Sequence, residues 1–183
     1  MTTQEKQKQQ SKEWLANSLL ILMQTKPFEN ISISEIAAHA DLSRRTFYRA
    51  FSSKTDIIVY IIERILPEYI TALKQLENIN MQNISLAFFQ FAHNHQDIIS
   101  LLKKHHLEYY ILDLFNKYLP VIRHHIFTKP LSGDEEVEKI FLLISGAGFF
   151  NILMYWINNN QSQSPEELAT MMSKAISIFS FYE

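Results

Sequence analysis

Between Leu42 and Thr55 the chain carries Arg44, Arg45, Arg49 and Lys54 among Phe47, Tyr48 and Phe51, with no acidic residue in that interval. Guanidinium groups at this density suit two tasks: pairing with phosphate oxygens and forking onto the edge of a guanine. On a helix, Phe47 and Phe51 stand four residues apart on one ridge, while Arg44, Arg45, Tyr48 and Arg49 occupy a neighbouring stripe facing away from it. One face packs and the other is cationic. A solvated basic face is the plain alternative, so the flanking elements matter.

The other chemistry-bearing residues form no comparable set. His93 with His95, His105 with His106 and His124 with His125 are one or two residues apart, whereas a metal pair on a helix wants i, i+3 or i+4. There is no cysteine, which excludes a thiol nucleophile, a thiolate metal site and a disulfide framework. No serine, histidine and carboxylate constellation stands out, so neither an enzyme nor a cofactor is expected.

The elements around the basic stretch are marked by helix caps. Ser32 with Glu35 makes a capping box, and a short helix is expected from there to Ala40. Asp41 and Leu42 then form a tight turn, and Ser43 caps the helix that carries the arginines. Ser53 with Asp56 resembles a third start, opening a long helix that Pro67 should kink. Upstream, Leu15, Leu19 and Leu22 place an amphipathic helix over about 11–24. Helix, turn and helix at these lengths, with an aromatic ridge facing inward, form the helix-turn-helix arrangement that enters a major groove.

Further helices are expected near 84–94, 96–106 and 108–127, then a loop at 129–136, and a last helix opened by the box Ser164, Pro165 and Glu167. With three glycines and no sustained strand-like alternation, the whole chain reads as all-α. The net charge of -2 conceals an uneven distribution: residues 1–56 hold eight Lys and Arg against six Asp and Glu, leaving nine against thirteen for the rest. The basic stretch thus sits in a mildly positive head on an acidic body. Residues 140–157 run without a charge, near the lower length of a membrane span. Asn151, Ser145, Gly146 and Gly148 dilute that segment and no basic cluster follows it, so a buried or interfacial helix is the expected reading and no membrane is expected. The polar start has no apolar signal core, which makes the cytoplasm the default.

Residues 11–57, and above all FENISISEIAAHADLSRRTFYRAFSSKTDI at 28–57, resemble the DNA-binding domain of the tetracycline-repressor (TetR) family of bacterial regulators. The resemblance implies a helix-turn-helix domain over 1–56 and a helical effector-binding and dimerisation domain over 57–183. It implies that Thr46, Tyr48 and Lys54 touch phosphates while Arg44 and Arg45 approach bases, with Ser43 and Arg49 on the same surface. The family commonly has glycine where this chain has Asp41, a residue that tolerates the left-handed turn better than most.

The same resemblance implies a homodimer on a pseudo-palindromic DNA operator, sealed by the last two helices. Gly146, Ala147, Phe150, Met154, Met171, Ala175 and Phe179 are the candidates for that seam, with packing inside one subunit as the alternative. Phe88, Phe89, Phe91, Tyr109, Tyr110, Phe115 and Tyr118 are candidates to line a ligand pocket, although an aromatic stripe also reads as core. The expected mode is a repressor released by a small-molecule effector. The YWI and SPEEL segments are also similar to a C-terminal domain frequent in low-GC Gram-positive bacteria. That subgroup includes activators of dihydroxyacetone-kinase operons, which makes control by a protein partner the alternative.

Overall fold

A computed structural model of the chain describes residues 2–127, 130 and 132–179, with side chains to Ile178. Among these residues are nine α-helices and no strand: α1 (Thr3–Thr25), α2 (Ile33–His39), α3 (Arg44–Ala50), α4 (Lys54–Lys74), α5 (Met81–Asn94), α6 (Gln96–Lys104), α7 (Tyr109–Ile126), α8 (Glu135–Asn158) and α9 (Pro165–Phe179). A 3-10 turn at Phe28–Asn30 joins α1 to α2.

Helix α1 begins well before Ser11. Thr2 accepts from the Glu5 amide at 3.3 Å and the Glu5 carboxylate accepts from the Thr2 amide at 2.7 Å, so the polar segment has its own capping box. Its lysines and glutamines are good helix formers that carry no apolar period. The boxes at Ser32 with Glu35, Ser53 with Asp56 and Ser164 with Glu167 all form. Each is worth about 1 kcal/mol of local stability. Between α2 and α3, Asp41 sits at φ 54°. Leu42 N–H donates to the Ala37 carbonyl at 2.8 Å and Asp41 N–H to that of Ala38 at 3.1 Å, the paired bonds that end a helix on a left-handed residue. Helix α4 continues unbroken through Pro67.

The chain divides into two compact units, one comprising the residues through Arg64 together with Ser100–Tyr110, the other the remainder. A boundary at residue 56 does not describe this division. Ile57, Ile58 and Ile61 are fully buried, as are Leu15, Leu19, Ile36 and Phe47 of the same unit. The Glu13 carboxylate ties α1 to the start of α4, accepting from the Tyr60 hydroxyl and from Arg64 at 2.5 Å. Burial alone would raise the Glu13 carboxyl, but these hydrogen bonds outweigh it and hold the group below its ordinary value.

Buried His105 brings its own segment into the first unit. Its Nε2 lies 2.7 Å from the Met23 carbonyl and its Nδ1 accepts from Phe28 N–H at 3.3 Å, which sets the neutral tautomer with the proton on Nε2. In the second unit Tyr69, Phe88, Phe89, Phe149 and Trp156 form a chain of edge-on aromatic contacts. The Trp156 indole N–H is satisfied by the Gln163 carbonyl at 2.9 Å.

Candidate DNA-binding interface

Helix α3 is held by one side chain. Phe47 is fully buried and packs edge-on against Tyr48 at 5.5 Å and tilted against Phe51 at 6.3 Å. That anchor turns Arg44, Arg45, Tyr48 and Arg49 outward, and all four are exposed. Among the described residues, no hydrogen bond or ion pair engages the three guanidinium groups. At the helix start, the Ser43 hydroxyl accepts from the Thr46 amide at 3.1 Å and lies 2.9 Å from the Thr46 hydroxyl. Ser43 and Thr46 therefore set the helix end on which the arginines stand.

The structure gives Lys54 other work than reaching a phosphate. Its ammonium donates to the carbonyls of Phe28, Glu29 and Ile31 at 2.6, 2.9 and 3.0 Å and stands 4.5 Å from the centre of the Phe28 ring. Three donors on three carbonyls leave none over. Desolvation by burial lowers its pKa. Lys54→Ala should therefore cost about 1–2 kcal/mol of stability in thermal unfolding. The salt dependence of DNA binding should be unchanged, whereas a slope shallower by about one would place Lys54 on a phosphate after all.

Two cations absent from the sequence reading join this surface. Lys8 and Lys12, one turn apart on α1, line a recess of about 360 Å³ with Tyr48, Arg49 and Ser52, a recess that Asp56 and Glu63 also border. The Lys12 ammonium lies 5.4 Å from the Phe51 ring centre and 5.3 Å from that of Tyr60. Their i, i+4 spacing was the available signal, but it has meaning only once α1 extends to Thr3.

In the second unit, several candidate residues take different places. Phe88 and Phe89 are buried core, and Phe91 packs on Tyr69. Half-buried Tyr118 has the Lys117 ammonium 5.2 Å from its ring centre. Tyr109 is exposed, touches Tyr110, and falls with it in the first unit. Of the seven, Phe115 alone borders one of the cavities found between α7 and α8 among the described residues.

Gly146 is buried inside its own chain, not offered to a second copy. A Cβ there would come within 2.7 Å of Leu119 Cδ1 and 2.8 Å of Asn116 Oδ1, so the glycine lets α8 approach α7. Ala147, Met171 and Ala175 are exposed, and Phe150 and Met154 are half-buried. The Phe179 side chain lies outside the described residues. Exposed Ile140, Ile144, Tyr155 and Ile178 belong to the same helices.

A short capped helix, a left-handed turn and a second helix with an outward cationic stripe define a helix-turn-helix DNA-binding regulator. The chain belongs to the tetR family of bacterial regulatory proteins: residues 20–61 match the family of that description, and residues 79–177, more than half of the chain, match a transcriptional regulator C-terminal region. Its class is not enzymatic. Among relatives, the uncharacterized helix-turn-helix-type transcriptional regulator YxbF of Bacillus subtilis is 23% identical over 173 residues, covering 90% of this chain and 44% of the relative. The chain spans less than half the length of the curated relatives it matches. The solved structure of Lin0861 from Listeria innocua superposes with a TM-score of 0.77 at 16% identity, over 98% of this chain and 94% of that one. The dihydroxyacetone kinase operon activator DhaS does so with a TM-score of 0.54 at 19% identity, over 92% and 93%. At these identities the structural likeness is one of fold.

Proposed function

We propose that the protein is a homodimeric, cytoplasmic repressor that lays two copies of α3 on a pseudo-palindromic operator and leaves it when a small effector binds in the second unit. The observation that carries DNA docking is the exposed stripe of Arg44, Arg45, Tyr48 and Arg49 on a helix anchored by Phe47. Two such helices must stand about 34–36 Å apart to meet successive turns of one groove, which asks for a dimer. Support for the dimer comes from the exposed apolar run of Ile140, Ile144 and Ala147 on α8 with Met171, Ala175 and Ile178 on α9. Exposed apolar side chains recurring along a helix in this way are typical of association sites. Helix α8 is also long and apolar enough to cross a membrane, but a subunit seam accounts for the same composition and leaves the arginines able to reach DNA.

A second reading, an activator governed by a protein partner, is favoured by the fold-level likeness to DhaS, itself an operon activator. The small-molecule reading leads because cavities open within the second unit.

Fluorescence anisotropy with DNA from upstream of the protein's own gene, beside a scrambled duplex at two salt concentrations, tests the reading. Two chains per site and affinity falling steeply with salt are expected on the specific DNA alone. Weak binding that is equal on both duplexes would count against it. In the same assay Arg45→Ala should lose about 1–3 kcal/mol on the specific duplex and little on the scrambled one. Equal losses on both would make Arg45 a phosphate contact.

A further inference from the structure

Two adjoining cavities in the second unit share Leu119, Arg123 and Leu142 in their walls. The outer one, about 610 Å³, opens beside Pro130, Ser132 and Gly133, between α7 and α8. Its size falls in the ordinary range for ligand sites. The inner one, about 80 Å³, is enclosed by α4, α5, α7 and α8 and is almost wholly apolar, with Ile84, Phe115 and Phe149 in its wall.

Two of the polar groups on the inner wall are committed. The Ser145 hydroxyl donates to the Phe141 carbonyl at 2.8 Å. The Arg123 guanidinium is ion-paired with Glu138, both side chains being only 15% exposed. Tyr69 is the exception. It is 2% exposed, it borders the inner cavity, and among the described residues its hydroxyl has no hydrogen-bond partner. Buried hydroxyls are nearly always satisfied. A water here would lack the two to four polar neighbours that hold one in a cavity. What completes an idle donor in an apolar chamber is an acceptor oxygen carried in by an apolar molecule.

Charge narrows the class further. The outer cavity is bordered by Arg123 and Lys139 against Glu135 and Glu138, so its formal charges cancel, and the buried Asn116 Oδ1 on the same wall has no hydrogen-bond partner among the described residues. A carboxylate ligand seeking Arg123 would have to displace Glu138, and an ammonium seeking Glu138 would have to displace Arg123. Either exchange leaves a largely buried charge unpaired.

We propose that the joined cavities bind an uncharged, mainly apolar molecule with a carbonyl or ether oxygen, which accepts a hydrogen bond from Tyr69 while the body lies past Leu119 and Leu142 into the outer cavity. This gives the effector its chemical class and rests on the effector reading above for its role in regulation, although the binding itself is measurable without DNA.

The test uses the full chain and the uncharged naphthyl ketone Prodan, whose emission moves to the red when its carbonyl accepts a hydrogen bond. The anionic anilinonaphthalene sulfonate serves as comparator. One Prodan per chain is expected, bound at least about tenfold more tightly than the sulfonate, because the latter would bury a charge without a partner. Tyr69→Phe should weaken Prodan about fivefold, as loss of one hydrogen bond does, and shift the bound emission to the blue. Leu142→Trp should plug the junction and weaken binding at least about tenfold. Should that variant fail to fold, the emission of Tyr69→Phe decides alone. Sulfonate binding as tight as Prodan, or a bound emission indifferent to Tyr69→Phe, would overturn the site. An operator complex that no ligand of this class releases, in the presence of sound Prodan binding, would instead count against the effector reading.

Discussion

Replacing Ile144 by glutamate is expected to leave the protein monomeric at micromolar concentration and to weaken operator binding by about 100-fold or more. Ile144 is the most exposed large apolar residue of α8, at 67%. On a single chain a glutamate there costs nothing. If the α8 and α9 face is covered by a second copy, the substitution places a carboxylate without a partner at the seam in each subunit. At roughly 2–3 kcal/mol for each buried polar group, the pair raises the dimer dissociation constant by about a thousandfold. Operator affinity follows because each head then binds alone and the gain from linking two half-sites disappears. Sedimentation equilibrium and anisotropy on the operator read the two effects. Ile21→Glu, on an exposed position of α1 at 50%, controls for charge and should alter neither. A dimer that survives Ile144→Glu would place the subunit contact elsewhere.

Phe47→Ala should be the most damaging single truncation in the first unit, costing about 3–5 kcal/mol. The reason is topological as well as volumetric. Phe47 is the buried residue of α3, a seven-residue helix too short to persist by itself. Without the ring, α3 has only its Ser43 cap and half-buried neighbours to hold it, and the outward stripe loses its fixed direction. Set against a typical total stability of about 5–15 kcal/mol, the loss is large enough to read directly in urea denaturation followed by circular dichroism. DNA binding should vanish with it. Tyr48→Phe separates the two effects: the exposed hydroxyl makes no hydrogen bond among the described residues, so stability should hold while DNA affinity declines. A midpoint unmoved by Phe47→Ala would mean that α3 is held by contacts other than this ring.

Much of the first unit was legible in the chain because its instructions are local. Ser32 with Glu35 and Ser53 with Asp56 are each three residues apart and both boxes form, as does that of Ser164 with Glu167 in the second unit. Asp41 takes the left-handed turn and Phe47 faces inward for the same reason: neighbours within one helical turn settle the geometry. The early start of α1 was not legible, since a run of lysines and glutamines has helical propensity without a period to reveal it.

Residue types alone therefore determined an all-helical chain, the order of its helices, and a cationic stripe turned away from an aromatic ridge. Tertiary structure decided which of those side chains were still available. Lys54 is a cation in a basic run until the carbonyls at Phe28, Glu29 and Ile31, more than twenty positions earlier, occupy its ammonium. Gly146 looks like a contact for a second copy until Leu119 and Asn116 are found against it. Tyr69 is one aromatic among many until α5, α7 and α8 pack around it and form a cavity that it borders. Periodicity tells which face of a helix is apolar, but not what will cover it. Partners remote in the chain meet only when the helices have packed, and their distances then decide which groups are satisfied and which are left to bind.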